Sequence, residues 1–582
     1  VVERRSRSHL HGRHRLAGAR QRPGCAGPGH QHPVPAAHHR RPVRHRDVVG
    51  DHPGRLVPGL PPPGLPHGAS SPPFRAERLA GDHGHHPLVD PVGTVHRARA
   101  GAVLRGCRQH RHRRLDLEAH TVRGTSTGAT AEATAEVPPS LLLAGFGATN
   151  RAVARALLSR GHTVTAFDDG PDAATIAEAE ALGLELQIAP DDRRLRQLVR
   201  AADAMIPTPG LPENHRALAA ARDGGVPTAS EFDLARIWDS RPIAAVTGTS
   251  GKTTVTEMAV AALRCSGLEA VAAGNNDLPL VAAIEQTGAD VFVVEASSFR
   301  LAHSLRFEPR AACWLNFAPD HLDIHRDLAS YETSKARLWR WLPPGATAVA
   351  NRLDPTVMAH LPEDRAAWTF AQQGPADWWC RAGMLTGPSG PVLSVRELRR
   401  AMPHDLANAL AAAATATAIG ATTEGLGQAL RSFEPGSHRV ELVASIGGVS
   451  FYDDSKATTP HATVAALRGF ETAVLIAGGR NKGLDLRGLL DAVDCVSSVV
   501  AFGEAADEVA EVFAADRPVQ VAADVGEAVE LAASAAEPGS AVLLSPACAS
   551  FDLYPSYEAR GEDFARLVRD LADRSRCGTV PS

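Results

Sequence analysis

Residues 247–254 read TGTSGKTT and follow an apolar run, IAAV. Two glycines and one lysine among hydroxyl residues suit phosphate. Backbone N–H groups at a helix N-terminus cradle phosphate oxygens, and the helix dipole favours their charge. Thr249, Ser250, Gly251 and Thr254 shape this loop. Lys252 brings a compact positive charge to the β- and γ-phosphates, and the Thr253 hydroxyl can ligate Mg²⁺. The spacing is the short G-x-x-G-K-[ST], because Val246 stands where the longer loop has its first glycine. That disfavours GTPases and motor ATPases and points to a narrower set of ATP users. Further on, DVFVVEASSFRL reads as an apolar strand ending in Glu295. Its carboxylate could hold Mg²⁺ beside the phosphates, although a strand-end glutamate is usually just solvated. LNFAPDHLDIH sets His321 between Asp320 and Leu322. Both a surface role and a ligand role are open for that histidine.

Lysine is scarce. Of 61 lysine and arginine residues only four are lysine: Lys252, Lys335, Lys456 and Lys482. Arginine serves for ordinary charge here. Lysine can lose its proton when its surroundings lower its pKa, whereas arginine effectively cannot. Lys335, in YETSKARLW, therefore points to chemistry that arginine could not perform.

The elements that must position these groups begin near residue 140. SLLLAGFG, HTVTAFDD, PIAAVTGT, ADVFVVEA, TAVLIAGG, SSVVAFGE and AVLLSPAC each read as a buried strand, mostly followed by a helical stretch. Buried strands alternating with helices argue parallel sheets of the α/β class. Breaks near 240 and 433 divide this part into three domains, at 139–240, 241–433 and 434–577. Residues 1–138 differ sharply: they hold 17 of the 26 histidines and no lysine. They carry no helical or strand periodicity and cannot bury enough apolar surface to offset ordering entropy. Three readings compete for them: a disordered basic arm touching nucleic acid or phospholipid, H-x-H metal binding, or non-native sequence read upstream of the true start. The last is preferred. A formal net charge of −4 gives no global pull toward nucleic acid or anionic membrane. Eight scattered cysteines without metal-like spacing fit a reducing cytoplasm. Neither a membrane span nor a signal peptide is expected.

Ten segments, in order, resemble the Mur ligase family: TGTSGKTT, GNNDLP, VVEASSFRL, NFAPDHLD, YETSKARLW, HDLANALAA, GSHRVE, YDDSKATTP, GGRNKG and LLSPACASFDLYPSYEARG. The last segment and DDSKAT are similar to the branch that adds D-glutamate. The resemblance implies three α/β domains: a Rossmann-like domain for the uridine nucleotide, a central P-loop ATPase domain with a parallel sheet, and a C-terminal Rossmann-like domain that closes over it. It implies that ATP phosphorylates the carboxylate of UDP-N-acetylmuramoyl-L-alanine. The amine of D-glutamate then attacks the acyl phosphate, leaving ADP, phosphate and an amide. A monomer is expected, with two Mg²⁺ ions and no nucleic-acid partner.

The same resemblance assigns roles. Lys335 is carbamylated by CO₂, giving a carboxylate that ligates the second Mg²⁺ with His321. Lys456 lies near the transferring phosphate, and Thr458 and Lys482 hold D-glutamate. Asn275 contacts the muramoyl group, and Asn408 contacts adenine. Arg439 reaches ATP phosphate at the hinge, His438 lies near the substrates, and Asp454 binds ribose. Ser550 and Tyr557 line the acceptor pocket. Ala148 and Thr149 hold the UDP pyrophosphate. The chain departs from the family at Asp169 and Gly170, where a Thr-Arg pair often meets uracil, at Asp405 for asparagine, and at Tyr557 for phenylalanine.

Three rivals stand beside this reading. Another amide ligase of the scaffold, such as a folylpolyglutamate synthase, would share the ATP site. A nucleic-acid-binding protein would act through the basic arm. A dehydrogenase would use LLLAGFGATN as a dinucleotide turn through Gly145 and Gly147, but Asn150 replaces its third glycine.

Overall fold

The computed structural model describes residues 136–275 and 278–576. The expected N-terminal extension, apart from its last three residues, lies outside the described residues. The described chain is α/β with three sheets.

The first sheet has four parallel strands in the order Leu186–Ile188, Thr163–Asp168, Ser140–Ala144, Ala204–Pro207. Its central strand is apolar and runs into Gly145, whose φ of +79° makes the turn. Asn150 explains the absent third glycine. It is fully buried, and its amide donates to the carbonyls of Gly145 at 2.8 Å and Ile206 at 3.0 Å, stapling the turn from below. The Asp168 carboxylate accepts the Phe146 N–H at 2.7 Å, so this acid is occupied by the turn itself.

The second sheet has nine strands. Seven run parallel, in the order Trp378–Arg381, Ala366–Ala371, Thr347–Asn351, Ala311–Trp314, Ile243–Thr247, Val291–Glu295, Ala270–Gly274. Met384–Gly387 and Gly390–Ser394 extend it antiparallel. Every residue of Ile243–Thr247 is buried, as expected for a central strand covered on both faces. Register matters for the site. Val246 pairs with Glu295 on one side and Cys313 on the other, so all three strand ends emerge level with the loop that follows Thr247. Ligands of open parallel sheets bind at such carboxyl ends.

The third sheet has six strands, in the order Glu441–Ile446, Val449–Asp453, Ala541–Ala547, Ala473–Gly478, Val496–Phe502, Val519–Ala522. Its first two strands form an antiparallel hairpin, and the rest are parallel. Separate apolar clusters cover its two faces, one around Leu475 and Phe513, the other around Ile476 and Phe564. By contrast, one cluster runs from Leu143 in the first sheet through Phe232 to Phe292 and Trp314 in the second.

Candidate active site

The helix Lys252–Cys265 starts at the end of the central strand. Its N-cap is Gly251, at φ +86°, with no side chain to satisfy the first-turn amides. A Cβ on Gly251 would stand 2.7 Å from Asn408 Oδ1, so glycine is required for space as well as conformation. Most other helices carry a capping side chain, for example Asp327 before Leu328–Arg340. Uncapped amides at this terminus suit an anion.

Residues beyond the loop hold its shape. Asn316 Oδ1 accepts from the N–H groups of Thr249 and Ser250, both at 2.9 Å, and its amide donates to Ser250 O at 3.1 Å. The Thr249 hydroxyl donates to Ala318 O at 3.1 Å and lies 3.2 Å from the Tyr331 hydroxyl. Lys252 Nζ donates to the carbonyls of Gly248 and Thr249, at 2.9 and 3.1 Å. Lys335, from the helix Leu328–Arg340, is 1% exposed.

The electrostatics follow from burial. Burial is the main force lowering the Lys335 pKa well below the usual lysine value, and the charge of Lys252 adds to it. Asp320 and Glu295 oppose the shift without cancelling it. Burial also lowers the Lys252 pKa, against the same two carboxylates. His321 is pushed down to about 4, by burial first; Asp320 opposes this, and Lys252, Lys335 and Lys482 reinforce it. Its Nε2 lies 3.3 Å from Asp320 Oδ2. A neutral imidazole is the form that ligates metal, and a neutral amine is the form that adds CO₂. Thr253 and Glu295 offer oxygen donors to the cleft above the loop, whereas His321 and Lys335 stand outside its lining. The preformed three-ligand group among the described residues lies elsewhere, at His438, Glu441 and Asp453.

A cavity of about 700 Å³ opens above the loop, between the second and third sheets. Thr249, Ser250, Gly251, Lys252, Thr253, Thr254, Asn275, Glu295 and Asn408 line it from the central domain. Arg439, Asp454, Lys456 and Thr458 line it from the third. His461 also lines it, with Nδ1 3.4 Å from the Ser250 hydroxyl. Burial raises the Asp454 carboxyl to about 7 although the Ser545 hydroxyl donates to it at 2.7 Å.

Other expected site residues stand outside that lining. His438 has its Nδ1 2.7 Å from Asp453 Oδ2, and its ring meets Tyr557 edge-on. The Tyr557 hydroxyl accepts from Lys456 Nζ at 2.9 Å, which engages the oxygen that phenylalanine would lack. Ser550 is buried. Ala148 and Thr149 begin a second helix, Ala148–Ser159, that again has no side-chain cap. Asp169 is paired with Arg216 and His215.

Sequence reasoning passed over four residues that position the site. Asn316 clamps the phosphate loop. Arg400 holds Asp405 through two nitrogens, at 2.7 and 2.8 Å, and donates to the carbonyls of Arg439 and Val440. The Asp405 carboxylate is therefore occupied by Arg400. Arg560 is fully buried and ties the Ser455 turn, next to Lys456, to the Cys548 carbonyl. Arg300 bridges the first two domains. Each lay inside or beside a quoted motif, but none has a local signature.

Comparison with known proteins points to one family. The Mur ligase middle domain matches residues 246–416, and the Mur ligase glutamate ligase domain matches residues 438–548. A UDP-N-acetylmuramoylalanine–D-glutamate ligase from Frankia casuarinae is 39% identical over 452 residues, covering 74% of this chain and 93% of that protein. Enzymes of the same name from Rubrobacter xylanophilus and Pelotomaculum thermopropionicum are 38% and 37% identical, each covered over 97% of its length. Matched in both catalytic domains and across nearly the full length of these relatives, the chain belongs to the Mur ligase family.

Proposed function

We propose that this chain is an ATP-dependent ligase that joins D-glutamate to UDP-N-acetylmuramoyl-L-alanine through an acyl phosphate, in peptidoglycan precursor synthesis in the cytoplasm. The observation that carries the reading is the shared cavity. It faces the phosphate loop and Glu295 on one wall and Lys456 and Thr458 on the other.

The chemistry accounts for the residues. A carboxylate is a poor electrophile until phosphorylation provides a leaving group. Two anions, carboxylate and γ-phosphate, must meet, so positive charge must bridge them. Lys252 and the uncapped amides of its helix hold the β- and γ-phosphates, Asn408 the adenine, Arg439 a phosphate and Asp454 the ribose. Lys456 stands beside the transferring group. Ala148, Thr149 and Asn275 hold the nucleotide sugar, and Thr458, Lys482, Ser550 and Tyr557 the incoming amino acid, with His438 close by. Thr253 and Glu295 would hold one Mg²⁺, and His321 with a carbamate on Lys335 the other. Bound Mg²⁺ supplies charge neutralisation between the two anions. Closure of the third domain over the second keeps water from the acyl phosphate.

Phosphate release measured with a panel of amino acids and UDP-N-acetylmuramoyl-L-alanine tests this. D-Glutamate-dependent release is expected. Release with a folate and L-glutamate, and none with the nucleotide sugar, overturns the reading. No helix among the described residues is long and apolar enough to cross a membrane.

A further inference from the structure

We propose that Arg300 is a positioning residue that couples occupancy of the nucleotide-sugar turn in the first domain to the metal-facing carboxylate in the second. The inference rests on the ligase reading above. Arg300, on the helix Ser298–His303, is 6% exposed, and its guanidinium spans three elements. Nε donates to Glu231 Oε1 at 3.1 Å, Nη1 to Asn275 Oδ1 at 3.1 Å and Nη2 to Thr149 Oγ1 at 2.9 Å. Glu231 is itself fixed, because its other oxygen accepts the Val281 N–H at 3.0 Å.

Two consequences follow from donor and acceptor chemistry. A guanidinium has only donors. Asn275 must therefore turn its carbonyl toward Arg300 and its NH₂ away, and that NH₂ donates to Glu295 Oε1 at 3.1 Å. Arg300 thus sets the Asn275 amide, and the amide sets the carboxylate. At the other end, a Thr149 hydroxyl that accepts from Arg300 has its own proton left to donate. It sits in the uncapped first turn of Ala148–Ser159, where an anion is favoured. A continuous chain, Thr149–Arg300–Asn275–Glu295, thereby joins the small cleft lined by Thr149, Glu231 and Arg300 to the large one lined by Asn275 and Glu295. A buried Arg–Glu pair is seldom better for stability than apolar packing of the same volume. Its retention here is accounted for by the orientation it imposes.

The test is Mn²⁺ binding to the full chain, followed by electron paramagnetic resonance with ADP present, with and without saturating UDP-N-acetylmuramoyl-L-alanine. In the wild type the nucleotide sugar is expected to tighten Mn²⁺ binding by about fivefold or more. Arg300→Met is expected to abolish that factor and Arg300→Lys to retain part of it. Thr149→Val, which leaves the Arg300–Glu231 pair intact and guards against misfolding of the arginine variants, is expected to lose the factor at nucleotide-sugar concentrations that a direct titration of that variant shows to be saturating. An unchanged factor in Thr149→Val or in folded Arg300→Met, or no factor in the wild type, overturns the inference alone. Wild-type protein that does not bind the nucleotide sugar overturns the ligase reading and the inference together.

Discussion

Lys335 Nζ donates to the carbonyl oxygen of Gly248 at 2.7 Å, across 87 residues of sequence. The same carbonyl accepts from Lys252 Nζ. The Gly248 carbonyl of the loop is therefore held by two amines, of which Lys335 is buried and has its pKa driven well below the usual lysine value.

Lys335→Ala is expected to lower ligase turnover by at least about 100-fold, the scale of losing one preorganised electrostatic group. Short carboxylic acids such as formate or acetate are expected to restore part of it by standing in for the carboxylate of the proposed Lys335 carbamate. Phosphate release against acid concentration checks this. Full activity in the unrescued variant would remove the carbamate from the account.

The same position is predicted to trade stability for function. In CO₂-free buffer, where Lys335 is a free amine, the unfolded chain protonates it at neutral pH and the folded chain resists doing so, so wild-type stability rises with pH up to the unfolded lysine pKa. Lys335→Met removes this. Its melting temperature is expected to exceed that of the wild type at pH 7, and the gap is expected to shrink toward pH 10. Calorimetry at several pH values measures both.

Asp454 has the opposite sign. Its folded carboxyl lies near 7, above the unfolded value, so the folded state holds the proton more tightly. The stability it contributes at low pH is lost as pH rises from about 4 through 7. The stability gap between Asp454→Asn and wild type is expected to grow across that window and stay level above about pH 8. A gap that does not vary with pH would contradict the assignment.

Arg400 links the helix Pro403–Thr417, through Asp405, to the carbonyls of Arg439 and Val440. Arg400→Ala strands the buried Asp405 and is expected to cost about 3 kcal/mol in denaturant unfolding. Asp405→Asn, which leaves no buried charge unpaired on its side, is expected to cost less.

Asn316→Ala removes the clamp on the Thr249 and Ser250 amides. The expected result is a KM for ATP raised about tenfold, close to the contribution of one net hydrogen bond. The melting temperature is expected to fall by only a few degrees.

The strands that carry the site could be read from sequence because they are buried on both faces, and continuous apolar runs such as VFVVE have no other use. The extension Trp378–Ser394 was not legible: its strands are short, half-buried and mixed in pattern. Residues with chemistry in their side chains, such as Lys252 and Lys335, could be read from type and scarcity. Arg300, Asn316 and Arg400 could not, since in a chain rich in arginine their meaning lies in partners distant in sequence. Nor could backbone strain: His321, His438 and Val440 all adopt positive φ without being glycine. For Val440, which is β-branched, that conformation is held only by surroundings that over-determine it.

None of the four lysines is exposed. Lys252 and Lys456 line the cleft, Lys335 lies beneath its floor, and Lys482 is near enough to influence His321. The side-chain primary amines among the described residues are therefore all buried or only partly exposed, and two of the four open into the cleft. A small amine-directed probe becomes, in effect, a titrant of the cleft, and bound nucleotide should act as its shield.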